Sequence, residues 1–387
     1  MAFKDKVDSL LRKATDSGDV PGVVVMLTDR NGTTYEGGFG RRVLGQGAAM
    51  SPDTVVWIAS MSKAFTSTAA MQLVERGSLE LDAPASKWAP HLAQVKVLEG
   101  FDASGQAKLR APTSQITLRH LLTHTAGFGY DIWSADLARF QEKNGIPGII
   151  SCQNAALTTP LLFDPGTRWL YGINIDWAGK LVEAASGVKL GAYLKDNVFG
   201  LLGINDTAFK ISASMRQRLA KIHQRGDDGS LAPQMELEIP QEPEFEMGGG
   251  GLYGTASDYL KFVRMILNRG KANGKQVLKP ETVDQMCANN MGGLRVQVLK
   301  TVMPTLSHDA EFFPGMQKSW GLAFQRNEAK APTGLPAGSL MWAGLANTFY
   351  WIDPSSGIGG VYLSQVLPFI DVKSFPLFLE FQKAAYQ

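Results

Sequence analysis

The sequence predicts an α/β domain built from both ends of the chain, an antiparallel sheet flanked by helices, with a mainly helical region inserted between them. Three observations predict it. Near the N-terminus, strand-type residues Val23 to Leu27 and Thr33 to Glu36 flank Asp29-Arg30-Asn31-Gly32, a hairpin signal. The middle of the chain, to about residue 235, is helix-rich and broken by Gly and Pro. Beyond Pro240, Pro243 and the glycine run at 248–251, apolar and aromatic strand-type stretches return. The division places residues 1–75 and 236–387 in the sheet domain and 76–235 in the insertion, with a site expected in the cleft between them.

Taken in order, the chain opens with Lys4, Asp5, Lys6 and Asp8 spaced among Phe3, Val7, Leu10, Leu11 and Ala14, a charged amphipathic helix ending near Gly18 rather than a signal peptide. After the hairpin, Ala64, Phe65, Thr68, Ala69, Met71 and Val74 recur at helical spacing up to Gly77, which places Ser60 at a helix start. Asp164-Pro165-Gly166-Thr167-Arg168-Trp169-Leu170-Tyr171 reads as a Pro-Gly turn and a short extended piece before a helix at about 175–185, so Tyr171 falls at a loop-to-helix junction. A further helix is expected near 257–268, two adjacent strands at Leu340 to Leu345 and Thr348 to Asp353, and a helix at the C-terminus. No internal repeat or low-complexity linker is visible.

Chemistry enters with Ser60-Met61-Ser62-Lys63. A serine and a lysine three apart on a helix lie on one face, where the amine can approach the hydroxyl. An alcohol needs an adjacent base to attack a carbonyl, and lysine serves as that base only where burial or a nearby cation lowers its proton affinity. The first turn of a helix also favours developing negative charge. The same spacing recurs at Ser186 and Lys189, but Gly187 follows Ser186 at a helix end, where carbonyls point outward, so that pair is read as structural. Alone, Ser60 reads as an ordinary helix cap and Tyr171 as a half-buried aromatic.

Taken together, Ser60-x-x-Lys63, Pro165-Gly166-Thr167-Arg168-Trp169-x-Tyr171 and Trp342-Ala343-Gly344 resemble the serine β-lactamase-like superfamily, and most of all the family VIII carboxylesterases, which are similar to class C β-lactamases. Ile116 to Gly127 and Gly248 to Asp258 look like further, non-catalytic signatures of that family. The resemblance implies a β-lactamase/penicillin-binding-protein-like fold, with Ser60 as acylated nucleophile, Lys63 as its partner and Tyr171 as a second proton-transfer group. It also implies an oxyanion hole from the backbone N–H groups of Ser60 and Leu345. Two departures matter: Asn174 stands one position late for a Tyr-x-Asn motif, and Trp342 stands where β-lactamases carry a lysine. Losing that cation points to neutral, short-chain esters, unless Arg168 or Lys318 substitutes. Trp342, Gly344, Tyr130 and Trp320 are the candidate substrate-binding residues, and Phe128 and Trp133 are further aromatics for an apolar cleft. The alternatives are a β-lactamase or D-alanyl peptidase, an acyltransferase of the same fold, and a non-catalytic ligand sensor.

The composition is that of an ordinary enzyme. Over 387 residues, 38 Lys and Arg stand against 36 Asp and Glu, so no strong field recruits nucleic acid or anionic membrane. Cys152 and Cys287 are expected as thiols, and with no apolar run long enough to span a bilayer a cytoplasmic location is expected. Gly249-x-Gly251-x-x-Gly254 matches a dinucleotide fingerprint by letters but lacks a βαβ context. His120 and His124 lack a third ligand and are read as structural. No metal or cofactor is expected, the partner being a small-molecule ester. The chain also has no Gly-x-Ser-x-Gly elbow, which removes the α/β-hydrolase route to an esterase.

Overall fold

The computed structural model describes residues 3–387. One antiparallel sheet contains β1 (Gly22–Thr28), β2 (Thr33–Val43), β3 (Gln46–Ala49), β4 (Lys318–Trp320), β5 (Gln325–Asn327), β6 (Leu340–Gly344), β7 (Thr348–Asp353) and β8 (Ile358–Leu363). Their spatial order is β4-β5-β6-β7-β8-β1-β2-β3, so the two chain ends meet where β8 pairs with β1, Val361 opposite Met26. The hairpin turn forms because Asp29 Oδ1 accepts the N–H groups of Asn31 and Gly32 at 2.7 and 2.8 Å.

The helices are α1 (Phe3–Asp16), α2 (Ser62–Glu75), α3 (Leu118–Leu122), α4 (Ala135–Asn144), α5 (Asn174–Ser186), α6 (Ala256–Leu267) and α7 (Ser374–Ala384), with several shorter turns. The two-residue period of β7 sorts its aromatics between layers. Phe349 stacks on Phe378 at 4.4 Å and Trp351 meets Phe381 at 5.5 Å, both on α7. Tyr350 points the other way, to Tyr259 of α6 at 4.9 Å. Thus α1 and α7 cover one face and α6 the other.

The helix after Ser60 differs from the amphipathic expectation. Every residue of α2 from Ser62 to Leu73 is buried, because the helix runs through the centre of the molecule and packs on α5. Two of its polar residues are satisfied internally, Thr68 by its own helix and Thr66 by Gly248 O at 2.8 Å. The region between 76 and 235 holds α3, α4 and α5, but also a hairpin of Val97–Phe101 with Ala107–Arg110 and a strand pair of Ile222–Arg225 with Leu231–Gln234. These short strands carry too few alternating apolar residues to stand out from the helical background. Among the described residues no helix is long and apolar enough to cross a membrane.

Candidate active site

Ser60 lies in a single 3-10 turn, Ala59–Met61, immediately before α2, and Ala59 is held at φ +44. A left-handed alanine is strained, and it persists here because its surroundings fix it. Ser62 Oγ donates to Ala59 O at 2.6 Å and accepts from Leu252 N at 3.1 Å. The end of β6 presses on the same turn: a Cβ on Gly344 would lie well inside contact distance of Ile58 O and Thr348 Oγ1 and 3.1 Å from Ala59 Cβ. Only glycine allows that approach. Among the described residues, neither Ser60 N–H nor Leu345 N–H donates to a backbone acceptor.

Lys63, the second residue of α2 and one turn after Ser60, is 2% exposed. Its Nζ has three polar neighbours: Ser60 Oγ at 3.1 Å, Tyr130 OH at 3.0 Å and Gly249 O at 2.6 Å. An ammonium donates to all three, whereas the free amine needs one neighbour to donate to it, and a hydroxyl can do so. Burial pulls the lysine well below its ordinary range, opposed by the carboxylate of Asp176. The glycine run supplies the rest of the frame, since Gly250 O accepts from Trp57 Nε1 at 2.7 Å and Gly249 N–H donates to Asp176 Oδ1 at 2.8 Å. The run, a non-catalytic signature by resemblance, touches the lysine directly.

Tyr171 stands on the other side of Lys63, whose Nζ lies 4.6 Å from its ring centre. Its hydroxyl accepts from Trp342 Nε1 at 2.8 Å, which leaves its own proton free to donate. Burial pushes the phenol well up, with the Ser60 and Trp342 contacts pulling back, so it stays protonated. His124, at 4.6 Å from the Tyr171 ring, is kept neutral by burial and by the nearby Lys63 charge.

A cleft of about 190 Å³ opens over Ser60, walled by Tyr130, Trp133, Ile149, Leu237 and Leu345 among others. Its lining includes the carboxylates Asp131 and Glu238 but no lysine or arginine. A larger cavity of about 800 Å³ near Trp88, Phe140 and Trp177 holds none of these residues. Of the expected substrate-binding residues, Tyr130 lines the cleft and also bonds Lys63. Trp342, Gly344 and Trp320 stand outside its lining. Trp342 and Trp320 are 4% and 1% exposed and pack edge to face at 4.6 Å behind Tyr171, and Gly344 is sealed against Ile58. Neither candidate substitute for the missing cation reaches the cleft. Lys318 Nζ is consumed by Glu311 Oε1 at 2.9 Å and Phe312 O at 2.7 Å, and Arg168 lies over the Phe163 ring. Asn174 turns away and donates to His124 Nδ1 at 3.1 Å. His120 caps α3 with Thr117, and Ser186 precedes Gly187 at the left-handed end of α5. Asp176 was missed by sequence reading altogether.

A family model described as Beta-lactamase matches residues 7–375. The chain is 31% identical to Monacolin J acid methylbutanoyltransferase of Aspergillus terreus, over 98% of its own length and 95% of the relative's. It is 34% identical to Lovastatin esterase of Penicillium rubens, over 74% of this chain and 73% of that one. Among solved structures, the LovD6 mutant of Simvastatin Synthase (LOVD) from Aspergillus terreus superposes with a TM-score of 0.86 at 31% identity, covering 99% of this chain and 96% of that one.

Proposed function

We propose that this chain, which belongs to the beta-lactamase family and is an enzyme of the serine acyl-transferring hydrolase fold, cleaves neutral apolar carboxylic esters through an acyl-enzyme on Ser60. The contact of Ser60 Oγ with the buried Lys63 Nζ, at 3.1 Å, carries the reading. As the free amine, Lys63 takes the Ser60 proton while Oγ bonds the acyl carbon. The N–H groups of Ser60 and Leu345 receive the oxyanion. Tyr171 then donates its phenol proton to the departing alkoxide and is reprotonated from Lys63, so the site returns with the acyl group on Ser60 and the alcohol released. Water entering along the same path reverses the proton transfers and frees the acid.

The cleft supports neutral substrates with short acyl groups. Of its two carboxylates Glu238 is already paired with Arg216, and the lining offers no lysine or arginine of its own, so the carboxylate of a β-lactam or a D-alanyl peptide would be desolvated beside Asp131 without a partner. About 190 Å³ accommodates a few carbons on each side of the ester. In that sense the family VIII carboxylesterase assignment is kept within the proposal. A second reading concerns the acceptor. The wall of Trp133, Ile149 and Leu237 suits an apolar alcohol as well as water, and one relative is named for acyl transfer and another for ester cleavage.

A fluorophosphonate probe should label the wild type once, on the Ser60 peptide, and leave Ser60→Ala unlabelled. p-Nitrophenyl butyrate turned over with graded added alcohol should yield acid and new ester in a ratio that follows alcohol concentration. Higher kcat/KM on nitrocefin or a D-alanyl peptide than on every neutral ester would overturn the esterase reading.

A further inference from the structure

Beneath Lys63, on the side away from the cleft, lies a carboxylate that the proton transfers above do not use. Asp176, in the first turn of α5, is 1% exposed. Its Oδ1 accepts the Gly249 N–H at 2.8 Å, and its Oδ2 is buried with no donor at all. Gly249 is the link, because its carbonyl accepts from Lys63 Nζ at 2.6 Å. The carboxylate is pressed so closely on this residue that a Cβ on Gly249 would lie 2.5 Å from Oδ2. One glycine therefore joins the lysine on α2 to the aspartate on α5, and the two charged ends do not touch.

The groups facing Asp176 are few. From α2 comes Lys63, from the loop after α3 comes Tyr130, from the loop before α5 comes Tyr171, and Cys152 lies close enough for the carboxylate to raise its thiol. His124 faces Lys63 and is neutral. On α5 itself Lys180 is one turn away, bonded to Glu183 and lining the other cavity. Among the described residues Lys63 is thus the one cation acting on Asp176. A carboxylate left dry without a cation takes up a proton, and an ammonium left dry without an anion gives one up. In this pair burial drives the aspartate up and the lysine down, and each holds the other charged.

We propose that Asp176 is the positioning residue for Lys63: it fixes the Gly249 peptide that holds the amine against Ser60, and its negative charge governs how tightly Lys63 keeps the proton taken from Ser60. The inference rests on Ser60 and Lys63 as nucleophile and base. Asp176 gains and loses no proton in the cycle. The Ser60 O–H bond breaks, an N–H bond forms on Lys63, and that proton leaves through Tyr171 to the alcohol.

Asp176→Asn tests it, since the amide oxygen still accepts the Gly249 N–H while the charge is gone. Without the carboxylate Lys63 loses its proton more readily, so the acid limb of kcat/KM should move down by about one pH unit or more. The plateau should fall roughly tenfold because the base is weaker, with KM unchanged. Asp176→Ala loses the backbone anchor too and should fall further. A folded Asp176→Asn with an unmoved acid limb overturns the inference. Should that variant not fold, the reciprocal measurement decides: at about pH 6.5, where the wild-type lysine still carries its proton, isotope-edited infrared should reveal a larger fraction of protonated buried carboxyl in Lys63→Met than in the wild type, and equal fractions overturn the inference equally. Failure of Ser60 to be labelled in the wild type would instead sink the nucleophile reading, whatever Asp176 does.

Discussion

Gly344→Ala tests whether β6 positions the oxyanion donors. The added Cβ would fall inside contact distance of Ile58 O and Thr348 Oγ1, both backbone or backbone-tied atoms that cannot swing aside as the end of a flexible side chain can. Restoring ordinary van der Waals separation needs about an ångström of movement between the β6 end and the Ser60 turn. Since Leu345 follows directly, its N–H retreats from the Ser60 N–H by a similar amount. Overpacking of this kind costs about 1–3 kcal/mol of stability. Loss of one oxyanion donor lowers kcat about 10²- to 10³-fold. Steady-state hydrolysis of p-nitrophenyl butyrate and a thermal melt should therefore report a large fall in kcat, a small change in KM and a drop of a few degrees in Tm. Leu345→Ala is the control: it trims the cleft wall but keeps the N–H, so its kcat should fall far less. A Gly344→Ala enzyme with kcat within twofold of wild type and an unchanged melt would refute the argument.

Acylation needs Lys63 as the free amine, and burial brings it down to about 7, so kcat/KM should rise with pH through neutrality and level off above it; a profile flat from pH 5 to 9 contradicts that role. Tyr171→Phe removes the proton donor and should lower kcat about 10²- to 10⁴-fold, whereas Tyr130→Phe removes only one Lys63 contact and should cost on the order of tenfold, as burst and steady-state kinetics will distinguish. Arg225 pairs with the buried Asp371, which also accepts the Lys373 and Ser374 N–H groups at the start of α7, so Arg225→Met should lose about 3–5 kcal/mol in urea unfolding without altering kcat.

The contact of Ser60 with Lys63 was legible because local sequence decided it. Ser60 and Ser186 share the Ser-x-x-Lys spacing, and the glycine after Ser186, at φ +76, marked one as a helix end. The hairpin was legible for the same reason, in Asp29 and Gly32. Asp176 was not, because a single acid in a first helical turn reads as a response to the helix dipole, and nothing local indicates that it meets a glycine run 73 residues downstream. The available signal was the run itself: four consecutive glycines without a phosphate-binding context imply that another group approaches their backbone. The burial of the tryptophans was not legible for a different reason. Trp320 and Trp342 are apolar enough for either a cleft wall or the layer behind it, and sequence does not say which face of a strand looks into the cleft.

That layer behind the cleft ties activation to substrate choice. Trp169, Trp320, Trp342 and His124 form a dry aromatic backing around Tyr171, with ring centres 4.6 to 6.4 Å from it. Removing water from this side raises the cost of any unpaired charge. For Lys63 the consequence is a base usable near neutrality instead of an ammonium locked far above it. On the proposed reading a substrate carboxylate is disfavoured too, since the residue standing where the β-lactamase pattern has a lysine is a buried indole whose N–H is spent on Tyr171. A lysine at 342 would disturb both at once: its charge would lower Lys63 further and strip Tyr171 of its donor while attracting anionic substrates. Trp342→Lys should therefore weaken binding of neutral esters less than it lowers their kcat, and a variant with higher kcat on neutral esters would separate the two effects and break the link argued here.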